Sequence, residues 1–386
     1  MQGIHHVRPV TTPAIGGSRA VTRPVVVQHS AGAPGANGPL TAVQRVLASR
    51  LADRYEFVRM HQSVGNGGLN LPLLREWVGL LRQVRPALVH VRGLQNEGLH
   101  GVLAARLAGC PRVLVSVHGT IRDLRQPGRV WRRRLLVHGA EPATLRLASH
   151  VSAVCEYAAR RDFLRGLGPK FVGVVPNGVP LPARPRESRG RVRAELGLRP
   201  DDVAMIAVSR LTWEKGYAVL ADALRDLPST TVRRPGRPAA RRVLLVAGDG
   251  PDRAEIGAAL TGATGVDVRL LGNRLDVPDL LAAADVFVFP TLHENLSNAL
   301  LEAMAHGLPV VASAVGGNVE VLRSGGGRLV PAGDPRALAG ALSPLLDDPA
   351  ERLHLGEVGR KVVAEGYSLD VMLNALDRVY QRILPT

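Results

Sequence analysis

Residues Pro290–Ser313 read PTLHENLSNALLEAMAHGLPVVAS. Just ahead of them, Val286–Phe289 is a short apolar run of the kind that forms a strand buried on both faces. A polar loop follows, then a helical stretch opening at Ser297 or Asn298, residue types that cap helix N-termini. Gly307-Leu308-Pro309 breaks that helix, and Pro309–Ala312 begins another strand. Two strands joined through a helix form a parallel βαβ unit.

The same grammar extends both ways. In the second half, Val203–Val208, Val243–Ala247, Val268–Leu271 and Gly327–Val330 also read as strands. In the first half the strands are Val25–Gln28, Ala87–Val91, Val113–Val117, His150–Val154 and Phe171–Val175. Amphipathic stretches such as Leu40–Ala52, Leu73–Arg82 and Leu99–Leu107 lie between them. The expected fold is α/β, with two doubly wound Rossmann-like domains facing a central cleft. Pro176–Arg193, rich in Pro, Gly and Arg, separates the two sets. The expected divisions are a tail at 1–23, an N-terminal domain at 24–182 and a C-terminal domain at 183–367. A final segment, 368–386, carries the amphipathic stretch Ser368–Leu384 and is expected to pack back on the N-terminal domain. Thr230–Arg242 reads as a surface insertion.

Composition narrows the function. The chain has 386 residues, 46% of them hydrophobic, which excludes a disordered protein. Its net charge is +16, and residues 1–182 carry all of it, with 24 basic and 8 acidic residues. Only Lys170, Lys215 and Lys361 are lysines, against 46 arginines. A basic half calls for an anionic partner: nucleic acid, an anionic membrane surface or a phosphorylated substrate. Arg129–Arg134, RVWRRR, suits an interfacial helix on anionic lipid, and equally a solvated arginine-rich surface. Aromatics are only 3%, and no nucleic-acid-binding module is present, so no nucleic-acid partner is expected. Cys110 and Cys155 are too few for a disulfide scaffold. No apolar run reaches about 18 residues, and Met1–Pro24 has no signal-like core, so a cytoplasmic protein is expected, peripheral on the inner membrane face if the basic helix binds lipid.

Three segments carry chemistry. Glu294 precedes the helix that opens at Ser297, and Glu302 lies a turn inside it. The amides of Asn295, Leu296, Ser297 and Asn298 would sit at the helix N-terminus, where free N–H groups attract anions and sugar hydroxyls. A simple capping role for Glu294 and a solvated Glu302 fit the spacing as well. In Ser209–Leu220, SRLTWEKGYAVL, Arg210 and Lys215 place two cations on a strand-to-helix loop, suited to a diphosphate. VAGDGP at Val246–Pro251 is a glycine turn after a strand.

These segments resemble the family 4 glycosyltransferases, which have the GT-B fold. SRLTWEKG, VAGDGP, LLGNRLDVPDLLAAADVFVFPTLHE, EAMAHGLPVVAS, AVGGNVEVL, VVPNGV and SVHGT occur in the family's order. The resemblance is strong over Val172–Val330 and looser over Pro24–Phe171. It implies that Glu294 contacts the donor sugar at the reaction centre with Asn295 and Leu296, and that Glu302 holds the nucleotide ribose. Arg210 and Lys215, with Ser297 and Asn298, would take the donor diphosphate. His118 would lie near the donor sugar as a further catalytic residue. The glycine loop HSAGAPGANGPLT, with Gly35, Asn37 and Gly38, takes the place of the family's phosphate-side loop but lacks its paired glycines. Asn295 stands where a glycine is common. The implied reaction is retaining hexosyl transfer from a nucleotide-diphosphate sugar, UDP-sugar before GDP-sugar, to a polysaccharide, glycolipid or small-molecule acceptor, with no metal and no cofactor; the basic half suits an anionic or lipid-linked acceptor. A nucleotide-sugar epimerase and a phosphorylase-type enzyme share the fold; a silent sugar-binding partner and a basic nucleic-acid-binding protein are the alternatives from other classes.

Overall fold

The computed structural model describes residues 23–32, 38–62, 68–120, 122, 130–183, 186–227, 240–263 and 265–385. The expected tail, apart from Arg23, lies outside them, as does most of the Thr230–Arg242 insertion. The chain forms two units, one of residues 1–176 and 372–386, the other of Asn177–Val371. The division falls at Pro176, ahead of the boundary expected after residue 182. Hydrogen bonds account for the difference: Val179 N donates to Tyr367 O at 3.0 Å, and Leu369 N donates to Val179 O at 2.9 Å.

The first unit has six strands: β1 (Val25–Ala31), β2 (Glu56–Gln62), β3 (Leu88–Arg92), β4 (Val113–Val117), β5 (His150–Ala153) and β6 (Phe171–Val174). All pair in parallel, in the order β2-β1-β3-β4-β5-β6. β2 is the strand that sequence reading omits. Its EFVRMHQ mixes polar residues irregularly among apolar ones, as an edge strand bonded only to β1 can. β3 and β4 are fully buried, and the Val-rich VLVSV of β4 is what two-sided burial requires.

The second unit also has six: β7 (Val203–Val208), β8 (Arg242–Ala247), β9 (Asp267–Gly272), β10 (Val286–Phe289), β11 (Val310–Ser313) and β12 (Gly327–Val330). Their order is β12-β11-β10-β7-β8-β9, again parallel. The sheet grows one way from β7 through β9 and the other way from β10. The loops after β7 and β10 therefore emerge side by side at the carboxyl edge, the place where such sheets take ligands.

The helix Leu369–Ile383 enters the first unit from Met372 on. Tyr380 is completely buried there, in a polar chain whose proton positions follow from its ends. Arg92 Nη1 donates to Gln28 Oε1 at 2.8 Å, which turns the Gln28 amide nitrogen toward the Tyr380 hydroxyl at 2.7 Å. That hydroxyl therefore donates its own proton to His90 Nδ1, also at 2.7 Å, leaving Nε2–H for Ser116 Oγ at 2.8 Å. Burial, then the charge of Arg92, holds His90 well below the usual imidazole range, consistent with a neutral ring. Nearby, Asp377 accepts from Tyr55 Oη at 2.8 Å and pairs with Arg54.

Tyr380→Phe keeps the ring but strands Gln28 Nε2 and His90 Nδ1. Urea unfolding should register a loss of about 1–3 kcal/mol; an unchanged midpoint would show that the chain of hydrogen bonds adds nothing.

Candidate active site

The site in the second unit is assembled by backbone contact between two loops. After β7 the chain turns through Trp213–Lys215 to Gly216, whose φ is +77°, and enters the helix Tyr217–Asp226. A Cβ on Gly216 would lie 1.8 Å from the carbonyl oxygen of Pro290, the residue that follows β10. Only glycine permits that approach and that left-handed φ together. Leu292 N then donates to Glu214 O at 2.9 Å and closes the two loops on one another.

The consequence is an ion pair. Lys215 Nζ lies 3.0 Å from Glu294 Oε2, with both side chains less than one-fifth exposed. Glu294 Oε1 accepts from the Asn295 amide at 3.2 Å, and Lys215 Nζ lies 5.8 Å from the centre of the Phe289 ring. Arg210 does not join this pair. It is 63% exposed and bonds Glu214 Oε1 at 2.8 Å, one turn along its own loop. The two cations read together in the sequence thus hold different carboxylates.

Beyond Glu294, the helix Asn298–Ala305 opens as expected. Ser297, not Glu294, is its cap: the Ser297 hydroxyl accepts from Leu300 N at 3.3 Å. The amides of Leu296, Ser297 and Asn298 meet no acceptor among the described residues. Asn298 Oδ1 is buried without a hydrogen-bond partner. Two supports that sequence reading missed fix the loop. Asn177 Nδ2 donates to Leu296 O at 3.0 Å, and a Cβ on Gly317 would lie 1.8 Å from Asn295 O. Their signals were present as Asn-Gly in VVPNGV and Gly-Gly in AVGGNVEVL. The Leu296 side chain is buried, so its contribution is its backbone. Glu302 lies inside the helix, half-buried, and its carbonyl accepts from His306 Nδ1 at 2.8 Å.

The remaining candidates belong to the first unit. His118 follows β4, and its pKa is pushed down to about 3, by burial first and by Arg92 second, so its ring is neutral at physiological pH. A ring of that pKa is a hydrogen-bonding group, too weak a base to collect a proton near neutrality. Gly38 opens the helix Gly38–Leu47, whereas Gly35 and Asn37 lie outside the described residues. Among the described residues no three His, Cys, Asp or Glu side chains are grouped to hold a metal ion.

The pattern defining Glycosyltransferase Family 4 matches residues 24–182, and that of the Glycosyl transferases group 1 matches 202–348. The 2-deoxystreptamine glucosyltransferase of Streptomyces kanamyceticus is 31% identical over 334 residues, 81% of this chain and 80% of that one. The chain belongs to the family 4 glycosyltransferases. A second relative, the alpha-maltose-1-phosphate synthase of Mycobacterium tuberculosis, is 32% identical over 74% of this glycosyltransferase and 76% of its own length. Among solved structures, HepE of Anabaena in complex with UDP and glucose superposes with a TM-score of 0.73 at 18% identity, covering 92% and 99% of the two chains. Sucrose-phosphate synthase of Thermosynechococcus elongatus gives 0.73 at 20% identity, covering 94% and 99%. The glycosyltransferase has the two-domain α/β GT-B fold, and it is a hexosyltransferase.

Gly216→Ala should force Pro290 away and separate Lys215 from Glu294. We expect a stability loss of about 1–3 kcal/mol and a fall in kcat/KM of about a hundredfold. Gly340→Ala, whose Cβ would meet nothing within 4 Å, is the control; equal behaviour of the two variants would reject the assembly described.

Proposed function

We propose that this glycosyltransferase moves a hexosyl group from a nucleoside-diphosphate sugar to an acceptor, with retention at the anomeric carbon and without a metal. The observation that carries the reading is the Lys215–Glu294 pair beside the open amides of Leu296, Ser297 and Asn298. An arriving diphosphate competes with Glu294 for Lys215. Its negative charge replaces the carboxylate, and the freed Glu294 oxygen can accept from hydroxyls of the donor sugar. The buried, unpartnered Asn298 Oδ1 supports the same reading, since a sugar hydroxyl would satisfy it. Glu302, a turn further in, is assigned to the ribose hydroxyls.

As the anomeric bond breaks, charge grows on the leaving diphosphate. Lys215, Arg210 once it leaves Glu214, and the three amides are groups that stabilise charge more in the transition state than in the ground state. His118, neutral, is assigned a hydrogen bond to the donor sugar, and Gly38 a backbone contact to the phosphate side. The UDP in the HepE complex supports a UDP-sugar over a GDP-sugar.

A panel of UDP- and GDP-hexoses, read out by released nucleotide with and without chelator, tests the donor. UDP-hexoses should turn over faster, with no chelator effect; a GDP preference or chelator sensitivity would reverse those two assignments. Lys215→Ala and Glu294→Ala should each lower turnover about a hundred- to thousandfold in folded protein. Near-normal rates in both would move the active site elsewhere.

A second reading concerns location. No described helix is long and apolar enough to cross a membrane. On the helix Val130–Leu135, however, Trp131 is 73% exposed and Leu135 is 62% exposed, four residues apart, with Arg133 and Arg134 also exposed. Apolar anchors beside arginines suit an anionic membrane surface. Arg129, the first residue of the RVWRRR motif, lies outside the described residues. Flotation should place the wild type on anionic vesicles and not on neutral ones, with Trp131→Ala weakening the association; no selectivity would remove this reading.

A further inference from the structure

Three arginines are buried among the described residues: Arg92, Arg193 and Arg242. Arg193 pairs with Asp285 at 3.2 Å, and Arg242 with Asp347 at 3.1 Å. Arg92, 7% exposed, forms no ion pair among the described residues. Its Nη1 reaches only neutral oxygens, Gln28 Oε1 at 2.8 Å and His29 O at 3.4 Å. A guanidinium taken out of water without a counter-charge is strongly unfavourable. A structural tie between β1 and β3 could have been made by a neutral side chain.

The neighbours do not compensate it. Burial, with Arg92's charge as the second cause, pushes His29 and His118 down to about 3 and holds His90 well below the usual imidazole range, so all three rings are neutral. Arg92 itself is lowered to about 10 by burial and stays charged at neutral pH. The place is also distinctive. The first sheet reverses its direction of growth between β1 and β3. Arg92 is the last residue of β3, and His29 lies near the end of β1. Open parallel sheets take ligands at the carboxyl end of such a switch point.

We infer that Arg92 is the floor of an anion subsite that receives a phosphate group on the acceptor. A phosphate monoester supplies the missing negative charge and matches the planar fork of a guanidinium. The donor diphosphate has its own cations, Lys215 and Arg210, in the other unit. The inference rests on the reading of the chain as a nucleotide-sugar transferase, since it assigns the second substrate of that reaction.

The test is thermal-shift titration of the full chain, with and without saturating UDP, using hexose monophosphates, hexuronates and the parent hexoses. Hexose monophosphates should raise Tm in both conditions, and parent hexoses should not. Arg92→Gln should weaken monophosphate binding about ten- to hundredfold while UDP affinity is unchanged, and Arg92→Lys should recover part of it. Three results would overturn the subsite: monophosphates and hexoses acting alike on the wild type, hexuronates binding better than monophosphates, or Arg92→Gln losing UDP instead. The wild-type contrast decides even if Arg92→Gln does not fold. Failure of UDP itself to bind would count against the donor reading, while the UDP-free titration still judges Arg92.

Discussion

Everything chemical in the second unit depends on one close approach, that of Gly216 to the Pro290 carbonyl. Side chains as long as Lys215 and Glu294 would cost conformational entropy to hold together if their loops were free. Here the backbone does the holding, through that contact and the bond from Leu292 to Glu214. The ion pair is the result of the loop arrangement and not its cause. A site fixed by main chain is one whose geometry survives when the charges are redistributed by a ligand, which preorganised electrostatic stabilisation requires.

Buried charge is handled in two ways. In the second unit Arg189 and Arg193 meet Asp285, Arg241 meets Asp202 and Lys215 meets Glu294, while the half-buried Arg352 and Arg360 bond backbone carbonyls. In the first, Arg122 finds the buried Glu141 and Arg54 finds Asp377, but Arg92 is left with amide and carbonyl oxygens. The overall +16 therefore conceals two kinds of positive charge. Among the described residues every arginine but Arg92, Arg193 and Arg242 is at least partly exposed. Arg92 is a buried exception that solubility does not explain.

The fold was legible because buried parallel strands leave a plain trace. Val113–Val117, Val203–Val208, Val286–Phe289 and Gly327–Val330 end where the apolar runs end. β2 escaped because an edge strand needs only one apolar face, and EFVRMHQ alternates too weakly to separate from loop. In the site, residue types indicated Arg210, Lys215, Glu294 and the helix opening at Ser297. They could not indicate partners. That Arg210 would choose Glu214 while Lys215 chose Glu294 depends on where the loop turns, which Gly216 and Pro290 settle in three dimensions. Arg92 ends the run LVHVR just before Gly93. A charged residue closing an apolar strand was a signal in plain sight, but its lack of a carboxylate is a property of the fold and not of the sequence.

The last fifteen residues have a consequence for how the protein is made. Met372–Thr386 belong to the first unit, and Tyr380 completes the hydrogen bonding of Gln28 and His90 at its centre. A ribosome delivers those residues only after the whole second unit has emerged. The amino-terminal half must therefore wait, with polar groups of its interior unsatisfied, until Tyr380 has emerged. A nascent chain released early would carry a finished carboxyl-terminal unit beside an amino-terminal one that cannot close.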